Sequence, residues 1–288
     1  MKILLTGASS GFGRLFTQSL IADGHEVAAS MRGASGKNKP AAEDLEKLGA
    51  TIAEIDVTDD DSVTSGTQAA IEALGGLDVL INNAGVGVNG VTEAFTADDL
   101  HRLFDVNVYG VQRMNRAVLP TFRSQGSGLL VHISSLLGRI TLPYYGPYNA
   151  SKWALEALAE NYRTELSGFG IESVLIEPGG FPTEFGANLL SPSDADRERQ
   201  YGGFAEAKTA AGERFAELLA ANPQQDPQIV ADAVRDLIAM PRGKRPFRTP
   251  VDKIGMGDPV VGYNDYAAKI TKGIYGNMGL GDLLKLAD

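Results

Sequence analysis

Thr6-Gly7-Ala8-Ser9-Ser10-Gly11-Phe12-Gly13 follows an apolar run at Ile3–Leu5 and leads into a helix-patterned stretch carrying Leu15, Phe16, Leu20 and Ile21. A glycine-rich turn between a strand and a helix lets backbone N–H groups and the positive end of the helix dipole face an anion. Here Gly7 makes the turn, Gly11 allows a phosphate to approach, and Gly13 allows tight helix-to-strand packing, with Ser9, Ser10 and Phe12 filling the loop. Outward from this stretch, β-branched or Leu-rich runs recur at Glu26–Ala29, Thr51–Ile55, Leu77–Ile81, Leu129–Ile133 and Ser173–Ile176, with helix-length segments between them. Runs with so little polar alternation suit strands buried on both faces. The pattern predicts an α/β fold with a doubly wound parallel sheet.

A helix is expected from about Asn149 to Ser167, where Ala150, Trp153, Ala154, Ala157, Leu158 and Leu166 share a face, and another near Pro227–Met240. Gly85-Val86-Gly87-Val88-Asn89-Gly90 also fits G-x-G-x-x-G after a strand, but no helical pattern begins at Gly90. It is read as a structural turn, with the next helix starting near Thr96. Ser191–Arg199 is polar and precedes Gly202-Gly203, as expected of a mobile insertion. The tail from Gly255 looks loop-heavy, with an amphipathic piece near Leu280–Leu286. The chain is read as one domain over 1–288, with 185–220 as a lid over substrate and 240–288 as a C-terminal extension.

Composition limits the function classes. The 288 residues are 43% hydrophobic and 22% charged, enough for a substantial core. A net charge of −10 repels phosphate backbones and anionic lipid, so neither nucleic acid nor a membrane is an expected partner. With no Cys there is no disulfide, thiolate nucleophile or Cys-ligated zinc, and the three histidines are His25, His101 and His132; no metal is expected. Met1–Gly7 enters a strand directly, without the charged and apolar regions of a signal peptide, so the expected location is cytoplasmic.

Tyr148 and Lys152 stand four apart near the start of a predicted helix, on one face. Their position gives the pair meaning: Ser135 ends an apolar strand thirteen residues earlier, at the sheet edge where ligands bind, and Asn107 lies in a helical stretch. Each also has a plainer reading: Ser135 as a helix cap, Asn107 as a solvated mid-helix kink, Tyr148 as a half-buried aromatic, Lys152 as a surface charge.

Together the Thr6–Gly13 loop, Asp56-Val57, Asn82-Asn83-Ala84-Gly85, Asn107, Ser134-Ser135, Tyr148-Asn149-Ala150-Ser151-Lys152 and Pro178-Gly179 followed by Thr183 resemble the short-chain dehydrogenase/reductase family, from Lys2 to about Thr183. The resemblance implies a Rossmann-like, nicotinamide-dependent oxidoreductase acting on an alcohol or carbonyl. It places the catalytic tetrad on Asn107, Ser135, Tyr148 and Lys152. It also puts the adenine at Asp56 and Val57, the adenosine ribose over Asn83 with Ala84 and Gly85 beside it, and the nicotinamide under Pro178, Gly179, Phe181 and Thr183.

The chemistry follows from the residues. Hydride addition to a carbonyl leaves an oxyanion that needs a proton, and a phenol of ordinary pKa near 10 supplies it better with a cation beside it. Lys152 is that cation, expected to lower the phenol's pKa. Ser135 would donate to the oxyanion, and Asn107 would hold a water linking Lys152 to solvent. For the cofactor, Met31 stands where NAD-preferring relatives carry Asp, and Arg32 follows. NADP is therefore favoured over NAD, although Ser10 departs from the basic residue of many NADP-dependent relatives.

A dinucleotide-binding redox sensor or scaffold without turnover is the competing class, opposed by the complete tetrad. An epimerase or dehydratase of the extended branch expects two residues between the first two glycines, and this chain has three. The pocket would draw on Leu136, Leu137, Tyr144, Tyr145 and Phe181, suiting a hydrophobic small-molecule substrate. Surplus apolar residues on the Lys152 helix, Trp153, Ala154, Leu155, Ala157, Leu158, Ala159 and Tyr162, suggest a homodimer; the Asp-Gly-Gly ending of many tetrameric relatives is absent.

Overall fold

Ile3, Leu5, Val27, Ala29, Val79 and Ile81 project into one apolar layer, and Leu4, Ala28, Leu80 and Leu130 into another, which is why these runs lack polar alternation. The computed structural model describes residues 1–287. The strands are β1 (Lys2–Thr6), β2 (Glu26–Met31), β3 (Thr51–Glu54), β4 (Val79–Asn82), β5 (Gly128–Ile133), β6 (Ile171–Pro178) and β7 (Arg248–Val251). They form one parallel sheet in the order β3-β2-β1-β4-β5-β6-β7. The chain reverses direction across the sheet between β1 and β4, the switch point where doubly wound sheets bind ligands.

The helices are α1 (Gly11–Ala22), α2 (Lys39–Lys47), α3 (Asp60–Leu74), α4 (Ala97–Phe104), α5 (Gly110–Gln125), α6 (Gly146–Glu165), α7 (Ala195–Arg199), α8 (Gly203–Ala220), α9 (Gln228–Ala239) and α10 (Gly257–Asn277). Phe16 and Leu20 of α1, Leu45 of α2 and Val230, Val234 and Leu237 of α9 cover one face of the sheet. Val63 and Ala70 of α3 with Met114, Val118 and Phe122 of α5 cover the other. Thr96 caps α4 through a capping box with Asp99, as the start near Thr96 requires. Between α4 and α5 the helix does not break. Asp105–Tyr109 forms a single π-helical turn.

Three expectations need correction. The sheet has a seventh strand, β7, which escapes a reading by apolar runs because Arg-Thr-Pro-Val is short and carries a proline; that residue is tolerated at the sheet's edge. The Gly-rich tail is mostly the 21-residue helix α10, whose buried residues are only Gly257, Val260 and Asn264, too few for an apolar stripe. Within the polar insertion Ala195–Arg199 forms the short helix α7, capped by Asp194, and α8 follows it. On α6, Leu155 and Ala159 are already buried in the protomer, so the surplus apolar face narrows to Trp153, Ala154, Ala157 and Leu158.

Candidate active site

The glycine loop is built by close approach. Gly7 has φ +70, and a Cβ there would lie 2.9 Å from Ala84 Cα; a Cβ on Gly13 would lie 2.2 Å from the Gly7 carbonyl oxygen. The segment after β4 holds this loop: Thr6 Oγ1 accepts from the Asn83 and Ala84 N–H groups, both at 3.0 Å. Asn83 Nδ2 in turn donates to the carbonyls of Thr6 (2.9 Å) and Gly7 (3.1 Å). The Asn83 amide is thus committed to shaping the loop, and Thr6 is the partner that motif reading overlooks.

The loop fits an anion. Ser10 is the N-cap of α1 without a side-chain cap bond, and the Gly11 N–H donates to Glu184 Oε2 at 3.1 Å. A carboxylate therefore already stands where the helix dipole favours negative charge. Phe12 meets Phe181 edge to face, centroids 5.6 Å apart, which brings the glycine loop to the segment after β6. Pro178 ends β6 with Gly179 directly after it, and Thr183 lies against Gly11.

Just after β3, Asp56 accepts from the Thr58 N–H (3.0 Å) and hydroxyl (2.7 Å). Burial works against its ionisation, but the Thr58 bonds and the charges of Arg32 and Arg113 outweigh it and hold the carboxyl below its usual range. Arg32 is exposed at the end of β2, in a turn fastened by Asn38 Nδ2 on its carbonyl (2.8 Å) and by the Glu54 carboxylate on the Gly33 and Ala34 N–H groups. Val57 is buried against Gly110 at the start of α5.

Asn107, Ser135, Tyr148 and Lys152 come together as the spacing requires, and all four are buried. Lys152 Nζ donates to the Ile133 carbonyl at 2.8 Å and lies 5.7 Å from the centroid of the Tyr148 ring. Burial draws its pKa down to about 8, against the opposing charge of Glu156. Ser135 caps the short turn Leu136–Gly138 through the Leu137 N–H (3.1 Å) and donates to the Pro178 carbonyl (3.4 Å), so its capping and site positions coincide.

The Tyr148 phenol differs from expectation. Burial pushes its pKa above the ordinary value and Tyr145 adds to this, while the Ser135 hydroxyl pulls the other way. Burial therefore outweighs the lowering expected of the phenol, while the Lys152 ammonium donates to the Ile133 carbonyl. Asn107 is not solvated either: its amide accepts from the Val86 N–H (2.9 Å) and donates to the Val86 carbonyl (2.9 Å) and Ser151 Oγ (3.0 Å).

Behind Lys152 lies a buried charge cluster. Arg248 of β7 meets Glu156 (2.9 Å) and Glu160 (3.0 Å) of α6 and Glu177 of β6 (3.4 Å). Asn264 of α10 donates to Glu177 (2.7 Å) and accepts from Arg139 (2.8 Å). Burial, then the neighbouring Glu156 charge, raise the Glu177 pKa above the usual carboxyl range. The visible signal is an acidic residue, Glu177, directly after the apolar run Val174–Ile176 of β6.

The 185–220 segment begins beside this site. Phe185 packs on Tyr148 with centroids 5.7 Å apart, Val88 bridges Leu190, and Tyr144, at φ +69, donates to the Phe204 carbonyl (2.8 Å). Gly87 abuts Phe185 and Leu189, and Gly90 abuts Pro192, so the second glycine motif serves packing. Among the described residues no cluster of three or more metal-ligating side chains occurs, and no helix is long and apolar enough to cross a membrane.

Residues 1–193 match the family model described as short chain dehydrogenase. A 3-ketodihydrosphingosine reductase of Bacteroides thetaiotaomicron is 39% identical over 186 residues, 65% of this chain and 66% of that protein's length. An uncharacterized oxidoreductase of Bacillus subtilis, YusZ, is 33% identical over 265 residues, 87% of this chain and 88% of its own. Among solved structures, a short-chain dehydrogenase from Streptomyces avermitilis superposes with TM-score 0.73 at 29% identity, over 97% of each chain. One from Burkholderia phymatum, in complex with NAD, gives TM-score 0.72 at 27% identity over 86% of this chain and 88% of that one. An alcohol dehydrogenase from Thermococcus sibiricus, complexed with 5-hydroxy-NADP, gives 0.67 at 25% over 87% and 96%.

Proposed function

The chain belongs to the short-chain dehydrogenase/reductase family, and on that premise we propose that it interconverts a hydrophobic alcohol and its carbonyl with NADP(H). The observation that carries this is the buried convergence of Ser135, Tyr148 and Lys152 at the end of the parallel sheet where the glycine loop also lies. When bound, the nicotinamide supplies or accepts the hydride. The loop Gly7–Gly13 holds the dinucleotide's phosphates on the N-terminus of α1, Asp56 and Val57 hold the adenine end, and Ala84, Gly85, Pro178, Gly179, Phe181 and Thr183 line the rest. Arg32, whose guanidinium makes no hydrogen bond or ion pair among the described residues, favours NADP over NAD by offering a cation to a 2′-phosphate.

The phenol of Tyr148 enters carbonyl reduction protonated, as its raised pKa requires, and gives that proton to the alkoxide oxygen. Ser135 Oγ donates to the same oxygen and orients it. Lys152, charged at neutral pH, steadies the phenolate left behind. Asn107 locks the Gly85–Val86 backbone against Lys152. Phe185, Tyr144, Phe204 and Leu137 supply an aromatic, apolar wall, which suits a substrate without charge near the reacting carbon. The 185–220 segment acts as the lid of a single domain, and the narrow face of Trp153, Ala154, Ala157 and Leu158 pairs two copies as a homodimer.

Tyr148→Phe tests the reading. It should leave NADPH affinity nearly unchanged and lower turnover on an apolar carbonyl panel at least a hundredfold, followed by absorbance at 340 nm. Turnover within a few fold of wild type would remove Tyr148 as the acid.

A further inference from the structure

Helix α1 opens at Gly11, and its N-cap Ser10 makes no side-chain bond to the free N–H groups. The group that satisfies Gly11 comes from 173 residues away, the Glu184 carboxylate at 3.1 Å. A dinucleotide's pyrophosphate and this carboxylate seek the same N–H groups and carry the same sign of charge, so both cannot occupy the loop. The contact is not isolated. The next residue, Phe185, lies on the Tyr148 ring and against Gly87. Five residues further on, Leu190 is tied to the loop after β4: its N–H donates to the Gly87 carbonyl and its carbonyl accepts from the Asn89 N–H, both at 2.9 Å. One strap, Thr183–Leu190, thus covers the anion position with its first residues and Tyr148 with the middle ones.

We propose that Glu184 is a determinant of dinucleotide affinity: its carboxylate occupies the pyrophosphate position in the free protein and must be displaced before a dinucleotide binds. This rests on the glycine loop being the dinucleotide site. Because Phe185 is adjacent in the chain, displacing Glu184 also loosens the cover on Tyr148, so the substrate's entry follows the dinucleotide's. The population of the closed strap discounts apparent affinity by the fraction of molecules that are open.

Glu184→Gln keeps the size of the side chain and removes the charge, and Glu184 is exposed, so folding is not at stake. By calorimetry at low salt, the variant should bind NADP and inorganic pyrophosphate at least threefold more tightly than wild type, and the difference should shrink at high salt. Without ligand, its Leu190 and Asn89 amides should exchange hydrogen faster, since the strap has lost its anchor. Affinity raised less than threefold, or lowered, or unchanged exchange, would overturn the role of Glu184. Failure of wild type and variant alike to bind any dinucleotide would instead overturn the assignment of the loop.

Discussion

Replacing Lys152 by methionine should give a protein that is inactive yet more stable at neutral pH. The side chain is 5% exposed, and burial draws its pKa from 10.5 to about 8. At about 1.4 kcal/mol per pKa unit, keeping that charge inside the fold at pH 7 costs about 3 kcal/mol. Methionine preserves much of the volume but loses the 2.8 Å bond to the Ile133 carbonyl, a loss of about 1–2 kcal/mol. The variant should therefore gain about 1–2 kcal/mol at pH 7. The sign reverses with pH. A lysine whose folded pKa lies below its unfolded one binds fewer protons folded than unfolded, so its penalty is full below about pH 8 and fades towards 10.5. By pH 9.5 wild type recovers about 2 kcal/mol and draws level with or passes the variant. Urea denaturation at both pH values measures this. A variant less stable at pH 7, by the same margin at pH 9.5, would show that Lys152 carries no burial penalty.

Other residues give shorter tests. Arg32→Asp should move the ratio of kcat/KM values from NADPH towards NADH by ~1–3 kcal/mol, the scale of one charge-assisted hydrogen bond; an unmoved ratio makes Arg32 a bystander. Glu177 keeps its proton in the folded chain at pH values where the unfolded chain, with the ordinary 4.5, has released it, so its contribution to stability falls as pH rises above about 4.5. Glu177→Gln should accordingly gain on wild type in thermal unfolding as pH is raised from 4.5 to 8, and a pH-independent difference would contradict this. Light scattering at micromolar concentration should give twice the 30.5 kDa chain mass, and Ala157→Glu, at an exposed position of α6, should halve it. A wild-type mass near 30.5 kDa would reject the pairing. Leu155→Glu does not serve here, since Leu155 is a core residue.

Six of the seven strands are legible because each declares itself locally, whereas Asn107, Ser135, Tyr148 and Lys152 are singled out by resemblance to a family. A strand buried on both faces must be an unbroken apolar run, and a phosphate loop must carry glycines where Gly7 and Gly13 meet backbone. What stayed hidden depends on distant partners. The β7 strand is defined by pairing with Leu175–Pro178, not by its own composition. Likewise, α10 is held through Asn264, whose partners Arg139 and Glu177 lie far away in the chain. The phenol's raised pKa depends on how deeply Tyr148 is enclosed, which spacing to Lys152 does not report. Glu184 is one acid in a polar stretch, and only the folded chain shows it resting on Gly11.

The π turn at Asp105–Tyr109 has a consequence for how this protein tolerates change. One residue advances a helix by about 100°. With the turn in place, Leu103 of α4 and Met114, Val118 and Phe122 of α5 all face the interior, and Asn107 is turned inward between them. A π turn spends about one residue more per turn than an α turn, so deleting one residue from 105–109 would restore a regular helix with the apolar faces of α4 and α5 nearly in phase, and what it would remove is the inward aim of Asn107. The inward aim of Asn107 is therefore written in the length of this segment as much as in its letters. Point substitutions at Val106 or Tyr109 should be absorbed, whereas a single codon lost there keeps the 97–125 rod in phase but takes the Asn107 amide off the Val86 backbone.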